Sequence, residues 1–212
     1  MTTTDEPAQE SSQESSQDPA ATTPDAVTYS YKPSLIGTPF EVRLLPDALI
    51  WQAGGRSGRI PYREVRRLRL SFRPVTMQSE RFQTEIWPAH GPKIVIASSS
   101  WKSMVEQEQR NGPYGAFVRE LHRRLAATGS PARLEAGSPP LLYWPAVTLF
   151  VGVSLGLAAL IIRALQVPAY SGAAFVAAFL ALFLWKAGTF FRRNRPAVYA
   201  PDNPPRELIP TA

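Results

Sequence analysis

The chain has 212 residues, of which 44% are hydrophobic, and a formal net charge of +6. It contains no cysteine, which excludes disulfides, thiolate catalysis and cysteine-based metal sites. Its only histidines, His90 and His122, are too few for a histidine-rich metal centre. The apolar residues are distributed unevenly, which indicates one domain with appendages rather than a uniform globule.

The N-terminal segment, residues 1–27, contains six acidic side chains and no lysine or arginine. From Thr2 to Ala26 it has no large apolar residue, so it cannot bury enough surface to offset chain entropy. We predict a disordered acidic tail, which either solubilises the protein or folds back over a basic domain and competes with its ligand. The segment lacks the basic start and apolar run of a signal peptide, so nothing at this end is predicted to direct the next domain across a membrane.

Residues 28–129 carry short apolar alternations separated by glycine and proline, a pattern typical of antiparallel strands. Strands are predicted near Phe40–Leu45, Ala48–Gln52, Arg59–Pro61, Val65–Phe72, Arg81–Trp87 and Lys93–Ala97. A helical period follows, in which Phe117, Val118, Leu121 and Leu125 share a stripe while Arg119, Glu120, Arg123 and Arg124 point away. We predict a mixed fold, a small antiparallel β-barrel or pair of packed sheets with one C-terminal helix covering an open end.

Three stretches in this order, FEVRLLPDALIW, GRIPYREVRRLRLSF and GAFVRELHRRLA, resemble the bacterial pleckstrin-homology-like domains. The most specific stretch is IPYREVRRLRL, in which Val65, Leu68 and Leu70 would face the core. The resemblance covers residues 28–129 and implies a split barrel capped by a helix, with a binding or assembly role rather than catalysis. It carries over no ligand site, because the bacterial members share no fixed phosphoinositide motif.

The densest positive region of the chain lies around the predicted strand Val65–Phe72. Strand alternation places Leu68, Leu70 and Phe72 on one face and Arg67, Arg69 and Arg73 on the other. Arg56, Arg59 and Arg63 come directly before this strand. We predict that these six arginines bind anionic lipid or a protein partner, since each Arg near an anionic membrane surface contributes about 1 kcal/mol. The alternative is a solvated face without a ligand.

A membrane hairpin is predicted after a linker at residues 130–140. Leu141–Ile162 has 22 residues without a charge, a length of roughly 33 Å that matches a bilayer core. Residues 163–168 form a short external turn, and a second apolar run occupies residues 169–191. The predicted membrane-interface anchors are Trp144, Trp185, Lys186, Arg192, Arg193 and Arg195.

Small residues along the two predicted spans suggest close helix packing. Gly152 and Gly156 make a GxxxG step, and Ala173, Ala177 and Ala181 form a stripe on the second span. We predict that they pack the hairpin on itself, with homodimerisation through the glycine pair as the alternative. The following residues, 192–212, form a Pro-rich cytoplasmic tail that packs on the domain or presents a peptide to a partner.

The carboxylates and serines form no recognisable catalytic constellation, and Ser98, Ser99 and Ser100 lack a GxSxG frame. The sequence therefore predicts a non-enzymatic protein with no metal, no cofactor and no nucleic-acid partner. The first hypothesis is a binding module in a bacterial inner membrane with both termini cytoplasmic, since lysine and arginine cluster on that side of the hairpin. The second is an accessory subunit that docks into a larger membrane complex through the hairpin.

Overall fold

A computed structural model describes residues 26–74, 80–103, 107–167 and 170–210. The predicted acidic tail lies outside the described residues except for its last two positions. The α-helices are α1 (Asn111–Ala127), α2 (Pro140–Gln166) and α3 (Tyr170–Arg193). The strands are β1 (Val27–Tyr31), β2 (Phe40–Leu44), β3 (Ala48–Ala53), β4 (Arg56–Pro61), β5 (Val65–Pro74), β6 (Glu80–Pro88), β7 (Ile94–Ala97), β8 (Ser99–Trp101), β9 (Gln107–Gln109), β10 (Arg133–Ala136) and β11 (Ala197–Val198).

The first sheet is an antiparallel meander in the order β1-β2-β3-β4. Its hairpin between β3 and β4 turns at Gly54 and Gly55, which both have the positive φ that tight hairpins require. The strands predicted to begin at Phe40, Ala48 and Arg59 are present as β2, β3 and β4, and β4 begins three residues earlier than predicted. Strand β1 was not predicted, because its Tyr29 and Tyr31 follow directly on the polar tail.

The second sheet has the order β11-β10-β5-β6-β7 and mixes two directions. Strands β5, β6 and β7 are antiparallel neighbours, as the sequence indicates, whereas β10 runs parallel to β5. Segment 130–140, predicted as a linker, thus contributes a strand, and the predicted tail contributes β11. A register shift between Val65 and Arg67 lets Val65 and Leu68 both face the core despite their odd spacing.

The core lies between the two sheets and α1. The apolar stripe predicted for α1 is buried in this core. Leu68, Leu70 and Phe72 of β5 are buried there as well, as strand alternation predicts. The described residues form no closed barrel. Two tyrosine side chains connect β1 with β7. The Tyr29 hydroxyl donates to the Ala97 carbonyl at 2.7 Å, and the Tyr31 hydroxyl donates to the Val95 carbonyl at 2.5 Å.

Helices α2 and α3 are long and apolar enough to cross a membrane, and their apolar windows are not buried inside the described structure. They form an antiparallel hairpin, as predicted, whose ends lie within a few residues of the predicted limits. Aromatic side chains hold the two helices together. The Phe150 ring lies 5.2 Å from the Phe183 ring and 5.1 Å from the Phe191 ring, and the Tyr143 hydroxyl donates to the Phe191 carbonyl.

The segment after α3 returns to the β-domain and covers a second face of α1. Strand β11 pairs with β10, Tyr199 packs on His122, and Leu208 and Ile209 are buried in the core. Tyr199 of this segment helps to bury His122, whereas Arg124, predicted to point outward, is buried against the first sheet and Tyr62. The Arg124 guanidinium donates to Glu120 and to the Leu44 carbonyl, which satisfies its charge in the interior.

Burial of His122 makes a pH-dependent contribution to stability. Burial lowers the pKa of His122, while its bond to the Val118 carbonyl opposes that shift. Because the carbonyl can only accept, Nδ1 carries the proton, and Nε2 accepts from the Tyr199 hydroxyl at 2.9 Å. The unfolded chain therefore binds a proton that the folded chain excludes as the pH falls below about 6.5.

We expect the free energy of unfolding to fall below this pH, with a slope of at most about 1.4 kcal/mol per pH unit from this group. His122→Gln should flatten this part of the profile, whereas His90→Gln, at an exposed turn position, should retain it. Urea unfolding of the two variants at neutral and mildly acidic pH measures the difference. Identical profiles for both variants would show that His122 does not carry the effect.

Candidate functional site

The outer face of the second sheet presents the basic residues that the alternation of β5 predicts. Arg67, Arg69, Ser71 and Arg73 alternate with the buried Leu68, Leu70 and Phe72. Arg67 and Arg69 are partly exposed and Arg73 is exposed. The structure therefore brings three of the six predicted arginines onto one surface.

Partners on the neighbouring strands hold the basic side chains of this face in place. The register sets Arg67 beside Trp87 on β6, and its guanidinium carbon lies 4.0 Å from the indole centroid. The Arg69 guanidinium donates to Glu135 on β10 at 2.5 and 3.2 Å. Two hydrogen bonds to the same carboxylate oxygen, Glu135 Oε2, restrict the arginine, as does stacking on an aromatic ring.

The Lys93 ammonium, just before β7, contacts the buried Glu85 carboxylate on β6 at 2.8 Å. It also lies 5.4 Å from the Trp87 ring. Three cationic groups thus lie near the Trp87 ring, namely Arg67, Arg69 and Lys93. The sheet therefore presents an ordered array of cations around one indole.

The base of the helical hairpin is joined to the edge of β5. Beyond the end of β10, the Gly137 amide donates to the Leu70 carbonyl at 2.7 Å, and the Phe72 amide donates to the Asn194 side-chain oxygen at 3.0 Å. Asn194 is fully buried, and its carbonyl accepts from the Ser138 amide at 3.0 Å. The chain entering α2 and the chain leaving α3 thus extend the hydrogen bonding of β5.

This connection leaves a cleft of about 600 Å³ between the basic face and the hairpin, which we call the junction cleft. Its sheet side is formed by Arg69, Ser71, Arg73, Glu85, Trp87 and Lys93. Its hairpin side includes Leu142, in the first turn of α2, and Phe190, near the end of α3. One wall is therefore cationic and the other is continuous with the apolar helices.

A second cleft of about 490 Å³ adjoins the first and shares Arg69, Ser138 and Pro139 with it. Arg67, Arg133 and Glu135 line its sheet side, and Leu141 lies on its helix side. Together the two clefts are lined by five basic and two acidic side chains, a net charge of +3. The carboxylates bind individual cations, and the surface as a whole favours an anion.

The other three predicted arginines occupy a different part of the domain. Arg56 and Arg59 lie on β4 in the first sheet, and Arg63 lies in the 3-10 turn Tyr62–Glu64 that leads to β5. Arg59 pairs with Asp47 at 2.5 Å, and both side chains are more than half exposed. None of the three lies on β5 or lines either cleft.

The small residues of the spans lie mostly outside the contact between the helices. A Cβ at Gly152 or Gly156 would have open space around it, and Ala177 and Ala181 are exposed, whereas Ala173 is buried. The prediction that this set packs the hairpin on itself is therefore wrong for the glycine pair. Large aromatic rings fill the space between the helices instead, which leaves the glycine face on the outside.

The predicted interface anchors lie toward the end of the hairpin that meets the β-domain. Trp144 and Trp185 are about two-thirds exposed, and the Lys186 ammonium lies 5.2 Å from the Trp185 ring. The Arg193 guanidinium lies 4.8 Å from the Phe72 ring, so this anchor also contacts the sheet. Arg192 and Arg195 are exposed.

Several residues of the site were not predicted as such, namely Ser71, Glu85, Trp87, Lys93, Arg133 and Glu135. Ser71 had a detectable signal, because it alternates with Arg69 and Arg73 on the same strand. The remaining residues reach the site through cross-strand register, which the sequence pattern alone does not specify.

The two clefts are lined by more basic than acidic side chains, five against two. Among the described residues there is no group of three histidine, cysteine or carboxylate side chains that could hold a metal ion. Comparison of the chain with protein-family models, curated proteins and solved structures finds no match.

Proposed function

We propose that the protein is a non-enzymatic membrane-anchored module in which a pleckstrin-homology-like domain binds anionic lipid headgroups at the cytoplasmic face of a bacterial inner membrane. The observation that carries the proposal is the location of the basic face directly at the base of two helices that are apolar enough to span a membrane. An anionic membrane surface would then be the nearest polyanion to these cations.

The distribution of charge along the hairpin supports a cytoplasmic domain. Arg192 and Arg193 end the second helix near the domain and Arg195 follows it, whereas Arg163 is the one basic residue near the opposite end. Cytoplasmic loops of membrane proteins carry this excess of lysine and arginine. Lys186 precedes Arg193 by about 10 Å along the axis of α3. If its ammonium reaches the membrane interface by snorkelling, the end of α3 next to the β-domain lies at the level of the headgroups.

The strand order supports the resemblance to pleckstrin-homology-like domains. Two antiparallel groups, β1–β4 and β5–β7, are followed in the chain by α1, which covers the core between them. This is the arrangement expected of a split barrel with a C-terminal helix. Strands β10 and β11 extend the second group toward the hairpin, and thereby bring the basic face of β5 to the membrane anchor.

Replacing Arg67, Arg73 and Arg133 together by glutamine should lower the affinity for anionic lipid by up to about 100-fold, since each cation contributes about 1 kcal/mol near an anionic surface. Arg69 is retained in this variant because both its Nε and Nη2 groups donate to the largely buried Glu135 carboxylate, which then loses only its contact with the exposed Arg133. The full chain is reconstituted in mixed phosphatidylcholine and phosphatidylglycerol bilayers and extracted gently. The retained lipids are then quantified by mass spectrometry.

The matched control replaces Arg56, Arg59 and Arg63 by glutamine, which removes the same charge from positions that line neither cleft. Equal losses in the two variants would mean that only net charge matters, and no enrichment of phosphatidylglycerol in the wild type would overturn the proposal.

The second candidate function is an accessory subunit of a larger membrane complex, and the open face around Gly152 and Gly156 favours it. Small residues on an uncovered helix face allow another helix to approach closely. Co-purification from native membranes distinguishes the two functions. A stoichiometric protein partner that is lost with Gly152→Leu and Gly156→Leu, but kept with the arginine variants, would establish the accessory role instead.

A further inference from the structure

We infer that the junction cleft is a defined site for one anionic glycerophospholipid, whose phosphate contacts Arg73 and the Ser71 hydroxyl and whose apolar part follows Leu142 and Phe190. This inference rests on the proposed function, because it requires the cleft to lie at a bilayer surface. It goes further by replacing a diffuse attraction between charges with a stoichiometric site for one molecule.

Ser71 provides the observation that points to a ligand. It lines the junction cleft between Arg69 and Arg73, and only 5% of the residue is exposed. Among the described residues, its hydroxyl oxygen has no hydrogen-bond partner. Buried hydroxyls in folded proteins are ordinarily paired, and one without a partner calls for a specific explanation. A phosphate oxygen in the cleft would accept this hydrogen bond.

The charges around the hydroxyl suit a phosphate. The cleft is lined by Arg69, Arg73 and Lys93 and by one carboxylate, that of Glu85, a net charge of +2. Lys93 is fixed by Glu85 and Arg69 by Glu135, so these cations are already ordered before a ligand arrives. Arg73 is exposed, and it is free to orient its planar guanidinium toward two phosphate oxygens.

The opposite wall of the cleft identifies a lipid as the source of the phosphate. Leu142 and Phe190 belong to the two apolar helices, so a molecule that fills the cleft meets charge on one side and hydrocarbon on the other. A glycerophospholipid has this division between headgroup and acyl chains. A soluble phosphate would leave the apolar wall uncovered, and an acidic peptide would have to enter between the sheet and the membrane.

The test counts lipids bound to the full chain by native mass spectrometry, after purification in mild detergent and titration with phosphatidylglycerol. One molecule per chain is expected at saturation. Ser71→Ala should weaken this single binding event roughly tenfold, because a hydrogen bond to a charged group is lost. The thermal stability of lipid-free Ser71→Ala should be unchanged or higher, since the hydroxyl has no partner in the protein.

Arg73→Gln should weaken the same event by a similar factor, whereas Arg56→Gln, which removes an exposed arginine from the first sheet, should leave it unchanged. A wild type that enriches anionic lipid without a single-site titration, or a Ser71→Ala variant with unaltered affinity, would overturn this inference and leave the proposed function standing. Equal binding of sn-glycerol 3-phosphate would make the ligand a soluble phosphate and also overturn it. A wild type without any preference for anionic lipid would overturn both.

Discussion

Gly137→Ala is expected to detach the hairpin from the β-domain and to lower the free energy of unfolding by about 3 kcal/mol or more. Gly137 has a φ of +78°, a conformation that costs a residue with a side chain roughly 1–2 kcal/mol. An added Cβ would also collide with the carbonyl oxygens of Asn194 and Arg195. Both oxygens belong to the backbone, so a change of rotamer cannot relieve the collision.

The two effects at Gly137 can be separated with a second glycine. Gly129 also has a positive φ, of +59°, but a Cβ at Gly129 would have open space around it. Gly129→Ala therefore reports the conformational cost alone. The excess loss in Gly137→Ala reports the collision with the chain that leaves α3.

Two measurements on the full chain test whether Gly137→Ala detaches the hairpin. Thermal unfolding gives the loss of stability, and limited proteolysis reports cleavage at residues 137–139 and 194–196, where the hairpin joins the sheet. Faster cleavage at both sites is expected for Gly137→Ala only. If the two variants unfold and are cleaved alike, the hairpin is not held rigidly against β5, and the cleft between them would not keep a fixed shape.

Leu208→Ala is expected to destabilise the β-domain by about 2–5 kcal/mol, as is usual for truncation of a fully buried leucine. Leu208 is 2% exposed and belongs to the same hydrophobic core as α1 and both sheets, although it lies after the helical hairpin in the chain. The packing is close, since a Cβ at Gly115 on α1 would collide with the Pro210 carbonyl oxygen. The C-terminal segment is thus part of the folded domain.

Val198→Ala is the matched control, because Val198 lies in the same segment and is 63% exposed. It should change the free energy of unfolding by less than about 0.5 kcal/mol. Urea unfolding of both variants, followed by tryptophan fluorescence, compares the two sites. A Leu208→Ala variant as stable as Val198→Ala would mean that residues 206–210 do not pack in the core in solution.

The prediction of a helical hairpin was accurate because it depends on a local property. An uncharged run of 22 residues predicts a span without reference to any other segment, and α2 occupies that run with a few residues added at each end. The alternation of Leu68, Leu70 and Phe72 with arginines likewise predicts which face of β5 is buried. Strands β2, β3 and β4 of the first sheet and helix α1 follow from the same kind of pattern.

Two of the strands that the sequence pattern did not predict, β10 and β11, depend on partners far away in the chain. Strand β10 is only four residues long, and it forms by pairing with β5, as Leu134 does with Leu68. Strands β6 to β9 and helix α1 lie between these two strands in the sequence. Strand β11 forms against β10 after the chain has passed through both helices of the hairpin. A four-residue or two-residue strand has too few positions to display a period, so its sequence carries no reliable signal.

Residue type and short-range spacing are enough to predict the apolar hairpin, the basic face of β5 and the absence of cysteine chemistry. The fold as a whole sets which surface the arginines share, brings Trp87, Lys93 and Ser71 beside them, and closes a cleft over them with the hairpin base. It also placed the C-terminal segment in the core and the glycine pair on the outside of the hairpin. Strand register and helix contacts arise from the combined packing of distant segments, and local periodicity does not encode them.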